Sequence, residues 1–163
     1  MVSPGNPLKD PACMAPLDVR LASAQSLSPD PGIIATAIEA DLGTVYSADT
    51  LKRLRILFPE AHFVWLLGAD NFVQLPQWRD WRWIVDHVPM AIFPRPGATS
   101  AARHGAVAQE FAAARLGPAA ALQLAQTKAP AWLFLPMRAD PISSTAIRAR
   151  IKPISLAPLS SGD

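Results

Sequence analysis

Short apolar runs recur along the chain, and they constrain its fold more than any other feature. "AHFVWLLGAD", "VPMAIFPRPG" and "AWLFLPM" are nearly continuous, and "IIATAIEA" at 33–40 is a fourth run. Runs of this length predict strands, and "AHFVWLLGAD" has the pattern of a strand that is buried on both faces. Segments with helical spacing separate the runs. The sequence therefore predicts an α/β fold, a mostly parallel sheet flanked by helices.

Helical spacing is clearest in the first half of the chain. "PLDVRLASAQSL" predicts a short amphipathic helix. "YSADTLKRLRILFP" predicts a longer helix, with Ser47 as its candidate N-cap and Pro59 marking its end. A tryptophan-rich helix follows "GAD", with Pro76 near its first turn and Trp78 two residues further on.

The second half is less regular, and the whole chain is predicted to be one domain, 1–163. Residues 98–128 are alanine-rich and helical in pattern, but Gly117 and Pro118 interrupt them. "SSTAIRARI" predicts a last helix, and 153–163 form a tail. A chain of 163 residues is long enough to bury one hydrophobic core.

Composition excludes several classes of protein. A net charge of +2 without a lysine- or arginine-dense stripe argues against nucleic-acid binding. No apolar run is long enough to cross a bilayer, and the first residues lack the pattern of a signal peptide. A single cysteine, Cys13, fits a reducing cytoplasm. None of the three histidines has a second histidine or a cysteine at ligand spacing, so we expect no structural metal site.

Polar motifs follow the predicted strands where each strand ends. "GADN", "PRPG" and "RADPISST" occupy these positions, and ligands of parallel sheets bind beyond the carboxyl ends of strands. Gly68 would let a ligand approach the backbone, and Asp70 would hold ribose hydroxyls or cap the next helix. Arg95 would bind phosphate, or its flanking prolines would merely end a strand.

"ISSTAIR" supports two interpretations. Ser143, Ser144 and Thr145 at a helix start, with Arg148 one turn later, would bind a phosphate through hydroxyls, free amides and charge. Serine is also a common N-cap, and capping alone would account for Ser143 or Ser144.

The remaining candidates also have structural alternatives. Trp78 would stack on a flat heterocycle or pack in the core. Asn6 and Lys9 lie in a proline-rich loop, where a lysine would bind phosphate or remain solvated. Tyr46 and Thr50 would line a pocket or serve only the helix start.

The order and spacing of these motifs together are more specific than any one of them. "SPGNPLK", "GTVYSADTL", "FVWLLGADNFVQLPQWRDWRWI", "PMAIFPRPG" and "ISSTAIR" resemble, in sequence order, the bacterial nicotinate-nucleotide adenylyltransferases, from residue 2 to about 151. The resemblance implies a Rossmann-like nucleotidyltransferase fold. It also implies transfer of an adenylyl group from ATP, with Mg²⁺, to nicotinate mononucleotide, giving deamido-NAD and pyrophosphate.

The resemblance also assigns roles to residues of this chain. It implies contacts with the ATP phosphates and with ribose hydroxyls. It further implies a pocket for nicotinate mononucleotide in which the tryptophan stacks on the pyridine ring. The ATP phosphate group is Ser143, Ser144, Thr145 and Arg148; the ribose group is Gly68 and Asp70; the mononucleotide group is Asn6, Lys9, Tyr46, Thr50, Trp78 and Arg95.

One family motif is absent from these 163 residues. The family normally begins with a strand and a turn of the form "GGSFDPVHxGH", whose histidines bind ATP phosphates and stabilise the departing pyrophosphate. The sequence contains no HxGH, so no catalytic residue is assigned. We expect a missing first strand–helix unit, on the order of 30 residues or more, and hence poor activity and marginal stability. A non-catalytic nucleotide-binding module is the alternative, and an adenylyltransferase for another phosphate-bearing acceptor is a lesser one.

Overall fold

A parallel sheet forms the centre of the molecule. The computed structural model describes residues 1–5, 14–27 and 30–138. Its strands are β1 (Trp65–Gly68), β2 (Met90–Phe93) and β3 (Trp132–Phe134), in the order β1-β2-β3 with both pairs parallel. The predicted α/β class and the strands of the three strongest apolar runs are therefore confirmed.

Helices precede the sheet and connect its strands. In the described ranges no helix is both long and apolar enough to cross a membrane. The α-helices are α1 (Leu17–Ser26), α2 (Ile38–Asp41), α3 (Ser47–Leu57), α4 (Ala69–Gln74), α5 (Trp81–His87), α6 (Thr99–His104) and α7 (Ala106–Glu110). Within the described residues, 3₁₀ segments span Leu75–Gln77, Ala112–Ala114 and Pro118–Gln126, so the helical pattern of 98–128 breaks where Gly117 and Pro118 predicted.

The core lies mainly between one face of the sheet and the helices that follow β1 and β2. Phe72 of α4 packs its ring 5.2 Å from that of Trp132 and 6.3 Å from that of Phe134. The Trp132 indole also donates a hydrogen bond of 2.8 Å to the Phe111 carbonyl. On the opposite face, the 3₁₀ segment Pro118–Gln126 covers β2 and β3 with Leu124. The strand ends are thus supported by fully buried side chains.

The strand predicted at 33–40 is wrong. Residues Ile38–Asp41 form the short helix α2, and Ile33 and Ile34 are 63% and 76% exposed. A β-branched pair becomes a strand only where another strand offers its edge, because packing rather than intrinsic preference decides strand formation. The described edge of β1 is not paired with this segment.

The single tryptophan-rich helix is also wrong. The segment divides into α4, a 3₁₀ turn that contains Pro76, and α5. Trp78 has an extended backbone between the last two, and Asp80 has a φ of +52°, a conformation that an α-helix does not use. Pro76 is the second residue of the 3₁₀ turn, a position whose geometry needs no amide hydrogen from it.

Two further predictions were only partly right. β1 is buried on one face, but Leu66 on its other face is 57% exposed, because no described element covers that face beside β1. Ser47 is the first residue of α3 and not its cap, which is Tyr46; the helix ends before Pro59 as predicted.

α1 is confirmed as a helix, although none of its residues is buried. The predicted helix at "SSTAIRARI" and the tail lie outside the described residues.

Candidate functional site

The register of β1 and β2 brings two charged side chains together at the carboxyl edge of the sheet. Gly68 pairs with Phe93, and Asp70 and Arg95 each follow two residues later. Arg95 Nε lies 3.9 Å from Asp70 Oδ1, and about half of each side chain is exposed. The geometry leaves both groups available to a ligand at the edge where parallel sheets bind nucleotides.

Gly68 creates the space for this pair. A Cβ atom at this position would collide with the Asp70 carboxylate and would lie 3.2 Å from Arg95 Nε. Gly68 also ends β1 and is the N-cap residue of α4. Asp70 lies in the first turn of α4, and no side-chain hydrogen bond caps this helix. The glycine therefore serves close approach rather than an unusual backbone conformation.

A cavity of about 690 Å³ opens at the same edge, beyond β2 and β3. The Thr99 hydroxyl holds the loop after β2, because it lies 2.8 Å from both the amide and the carbonyl of Arg95. Arg103 also lines the cavity, and its guanidinium lies 4.8 Å above the Phe134 ring. Sequence reasoning missed Thr99 and Arg103, since both lie in an alanine-rich segment that carries no recognisable motif.

A second cavity, of about 460 Å³, lies at the start of α3; we call it the α3 cavity. It is lined by Gly43, Thr44, Val45, Tyr46, Asp49, Lys52, Arg53, Ile56 and Arg79. The Arg79 guanidinium lies 5.0 Å from the centre of the Tyr46 ring, and its Nη1 is 3.7 Å from Asp49 Oδ2. Arg79, which belongs to the loop before α5, is therefore a member of this site that sequence reasoning missed.

An ion pair connects the loop before α5 to α3. Lys52 Nζ donates a hydrogen bond of 2.7 Å to Asp80 Oδ2. This hydrogen bond and the charge of Lys52 lower the pKa of Asp80 below its ordinary value. Since Asp80 directly follows Arg79, the pair fixes the segment that carries the guanidinium. The positive φ of Asp80 is a local backbone strain that the surrounding contacts must hold in place.

Thr50 is completely buried and does not reach the surface of the α3 cavity. Its hydroxyl lies 2.7 Å from that of Thr44, 3.4 Å from a carboxylate oxygen of Glu39 and 3.3 Å from the Tyr46 carbonyl. These contacts connect α2, the following turn and α3. Thr50 thereby fixes the backbone that presents Tyr46, whose side chain is 41% exposed.

Trp78 lies against the core and is not among the residues that line the α3 cavity. Its ring centre is 5.6 Å from that of Trp65, with the planes tilted by 52°. The indole is half-buried, so part of it is accessible. The described structure thus unites Gly68, Asp70 and Arg95 at one edge and places Tyr46 above Thr50 at the other site. The remaining predicted site residues lie outside the described ranges: Asn6, Lys9, Ser143, Ser144, Thr145 and Arg148.

Side chains that could ligate a metal ion do not cluster in the described residues. No group of three or more histidine, cysteine, aspartate or glutamate side chains converges there. Among the described residues that line the cavity at the carboxyl edge none is acidic, and the nearby carboxylate of Asp70 lies 3.9 Å from the lining residue Arg95. One carboxylate suits a hard cation that is bound chiefly by the phosphate oxygens of a substrate and by water.

Comparisons with known proteins agree with this architecture. Residues 1–150 match the cytidylyltransferase-like family. A protein of Parvibaculum lavamentivorans is 48% identical over 150 residues, which cover 92% of this chain and 75% of that protein. Relatives from Cereibacter sphaeroides and Methylorubrum extorquens are 47% and 45% identical, over 91% and 92% of this chain and 78% and 81% of their own lengths. All three are named "Probable nicotinate-nucleotide adenylyltransferase". This chain therefore belongs to the cytidylyltransferase-like family and, within it, to the nicotinate-nucleotide adenylyltransferases.

Proposed function

We propose that this chain transfers the adenylyl group of ATP to nicotinate mononucleotide, giving deamido-NAD and pyrophosphate in NAD biosynthesis. The observation that carries the proposal is the juxtaposition of Gly68, Asp70 and Arg95 at the carboxyl ends of adjacent parallel strands. Relatives with 45–48% identity over more than nine tenths of the chain carry the corresponding name, which supports this substrate pair.

The reaction needs no covalent enzyme intermediate. A phosphate oxygen of nicotinate mononucleotide attacks the α-phosphorus of ATP in line, a new P–O bond forms, and the bond from that phosphorus to the bridging oxygen breaks. The electron pair leaves with pyrophosphate. Catalysis of such a displacement depends on positioning both nucleotides and on stabilising negative charge.

The residues divide between the two substrates. At the carboxyl edge, Asp70 accepts hydrogen bonds from ribose hydroxyls, Gly68 allows the close approach, and Arg95 neutralises substrate phosphate. On the mononucleotide side, Trp78 stacks on the pyridine ring, and Tyr46, positioned by Thr50, lines the pocket. The proposal extends to residues outside the described ranges: Ser143, Ser144, Thr145 and Arg148 for the ATP phosphates, and Asn6 and Lys9 for the mononucleotide phosphate.

Membership of a nucleotidyltransferase family suggests use of a divalent cation, and we assign this role to Mg²⁺ that enters with ATP. Bound to the phosphates, the cation would neutralise their negative charge. We further propose that the reaction takes place in the cytoplasm, since a single cysteine fits a reducing compartment.

A non-catalytic nucleotide-binding module remains the second candidate, since the 163 residues contain no HxGH. The two candidates differ in turnover but share mononucleotide binding. We expect the 163-residue polypeptide to bind both nucleotides and to turn over slowly, because its sequence lacks the HxGH histidines that would stabilise the departing pyrophosphate.

The test measures pyrophosphate release and deamido-NAD formation from ATP, nicotinate mononucleotide and Mg²⁺. Two polypeptides are compared, the 163 residues alone and the same residues preceded by a segment that carries the family's "GGSFDPVHxGH". We expect product from the extended polypeptide, and much less from the extended Asp70→Asn variant. If the extended polypeptide binds both nucleotides but forms no product, the binding module is the better account. If it binds neither, both candidates are wrong.

A further inference from the structure

A third cavity, of about 670 Å³, lies between the end of α3, the loop that follows it and α5; we call it the α3–α5 cavity. It shares Lys52 and Ile56 with the α3 cavity but opens beside Trp83 instead of Tyr46. Its volume is within the usual range for small-molecule sites. It is lined by Lys52, Arg55, Ile56, Phe58, Pro59, Glu60, Ala61, His62 and Trp83.

The indole of Trp83 holds the two cations of this cavity close together. Lys52 Nζ lies 5.1 Å from the ring centre and the guanidinium carbon of Arg55 lies 5.9 Å from it, distances at which the ring attracts a cation. The His87 ring stacks on the same indole at 4.5 Å and thereby fixes it. Among the described residues Arg55 forms no ion pair, so its donors are available to an anion.

Apolar side chains beside these cations are exposed to solvent. Ile56 and Phe58 line the cavity, and 76% of Ile56 and 49% of Phe58 are exposed. A ligand that covers them gains free energy, because apolar surface is removed from water. Two cations next to exposed apolar surface, with Glu60 the only acid among the described lining residues, suit an anion that carries an apolar group.

Lys52 connects this cavity to the loop before α5. Its Nζ donates a hydrogen bond of 2.7 Å to Asp80 Oδ2, and an anion bound beside Arg55 would compete with that carboxylate for the ammonium charge. The φ of Asp80 is +52°, which surrounding contacts must hold, so a weaker bond to Lys52 loosens the loop that begins with Trp78.

We propose that the α3–α5 cavity binds a small anion with an apolar group, such as an aromatic acid. We propose also that this anion lowers the affinity for the mononucleotide, because it competes with Asp80 for Lys52. The binding site is independent of the proposed function, whereas its effect on the mononucleotide rests on that function.

Calorimetric titration of the 163-residue chain with naphthalene-1-sulfonate tests the site without turnover. The sulfonate should bind saturably. Naphthalene-1-sulfonamide, which lacks the charge, and methanesulfonate, which lacks the rings, should each bind at least about fivefold more weakly. Arg55→Gln should weaken binding of naphthalene-1-sulfonate about three- to tenfold, because it removes a cation that lines this cavity.

Asp80→Asn tests the competition for Lys52. It removes the competing charge, and asparagine tolerates the left-handed backbone at this position. Binding of the sulfonate should become about two- to fivefold tighter, a small change because an exposed ion pair contributes little. Unchanged or weaker binding of the sulfonate to Asp80→Asn would overturn the inference.

Arg82→Gln is the matched control for Arg55→Gln. Arg82 also lies over an indole, that of Trp81 at 4.4 Å, but it does not line the α3–α5 cavity. It should leave the affinity for the sulfonate unchanged. Equal weakening by Arg55→Gln and Arg82→Gln would mean general attraction to a positive surface. That result, or the absence of saturable binding to the unmodified chain, would overturn the inference.

Titration of nicotinate mononucleotide at increasing concentrations of naphthalene-1-sulfonate measures the effect on the substrate. Its affinity should fall about two- to fivefold and then reach a plateau, because both ligands can be bound at once while each weakens the other. Arg55→Gln without the sulfonate should leave this affinity unchanged, since Arg55 does not line the α3 cavity.

Two results of this titration would overturn the inference and leave the proposed function intact. A fall in mononucleotide affinity without a plateau would mean direct competition in the α3 cavity, and an unchanged affinity would mean that Lys52 does not connect the two cavities. Failure of the chain to bind the mononucleotide even without the sulfonate would overturn the proposed function and the predicted effect on it. The titrations with the sulfonate alone would still decide whether the site exists.

Discussion

The two candidate regions differ in what holds their side chains in place. At the carboxyl edge, strand register aligns Asp70 with Arg95, and the buried ring of Phe72 packs against Trp132 on one face of the sheet. In the α3 cavity, the side chains are held by contacts between the start of α3 and the loop before α5, chiefly Lys52 with Asp80 and Arg79 with Tyr46. Backbone pairing makes the first site rigid, whereas in the second site a single substitution of a surface side chain can change where the other side chains lie.

The largest effect should come from the core beneath the carboxyl edge. Phe72 is 1% exposed and anchors α4, which begins directly after Gly68. Phe72→Ala should lower the free energy of unfolding by about 3–5 kcal/mol, since it removes a buried ring and leaves a cavity. Urea denaturation measures this change. Val73→Ala, in the same helix but at a position 41% exposed, should cost within about 0.5 kcal/mol. Similar losses in the two variants would show that α4 is not anchored as described.

A smaller loss is expected where side chains support the α3 cavity. Thr50→Val keeps the shape of the side chain but leaves the Thr44 hydroxyl and the Glu39 carboxylate without this partner. The expected cost is about 1–3 kcal/mol of unfolding free energy, because buried polar groups lose a hydrogen bond. Thr50→Ser retains the hydroxyl and should recover most of this stability. If valine and serine are equally well tolerated, the hydroxyl network does not stabilise the start of α3.

Gly68→Ala should separate ligand binding from stability at the carboxyl edge. The added methyl group forces the Asp70 carboxylate away and crowds Arg95 Nε, 3.2 Å from the new Cβ. We expect about tenfold weaker ATP binding, equivalent to about 1.4 kcal/mol, with the free energy of unfolding changed by less than that. Gly117→Ala is the control, since a Cβ there meets no atom within 4 Å and its φ is negative. Undiminished ATP affinity in Gly68→Ala would show that ATP does not approach the backbone closely at Gly68.

The smallest effect concerns the exposed pair of Lys52 and Asp80. Because the folded state lowers the pKa of Asp80, the ionised carboxylate favours folding at pH values above its unfolded pKa of about 4, and that contribution disappears as the pH falls through the folded pKa. Lys52→Met should therefore be slightly less stable than the unmodified chain at neutral pH, and the difference should vanish in acid. Thermal unfolding between about pH 2 and pH 7 measures it. A difference that persists at the acid end would point to lost packing and not to the ion pair.

The sequence predicted one region better than the other for a physical reason. The sequence alone predicts that Gly68, Asp70 and Arg95 lie together, because apolar runs locate strands and parallel strands bring their carboxyl ends to one edge. The position of Arg79 is not predictable in this way, because its partners Tyr46 and Asp49 lie 33 and 30 positions earlier in the chain and no local pattern encodes such contacts. Trp78 stays a predicted site residue, but the single helix predicted around it is wrong, since Pro76 and the left-handed Asp80 interrupt a helical spacing that the tryptophans suggest.

The most direct test of the account is a competition assay with equal amounts of the two mononucleotides. The extended polypeptide receives ATP, Mg²⁺, nicotinate mononucleotide and nicotinamide mononucleotide, and mass spectrometry quantifies the dinucleotides formed. The account predicts that deamido-NAD exceeds NAD and that the extended Asp70→Asn variant forms much less of it. Equal or greater formation of NAD by the unmodified sequence, or no dinucleotide at all, would contradict it.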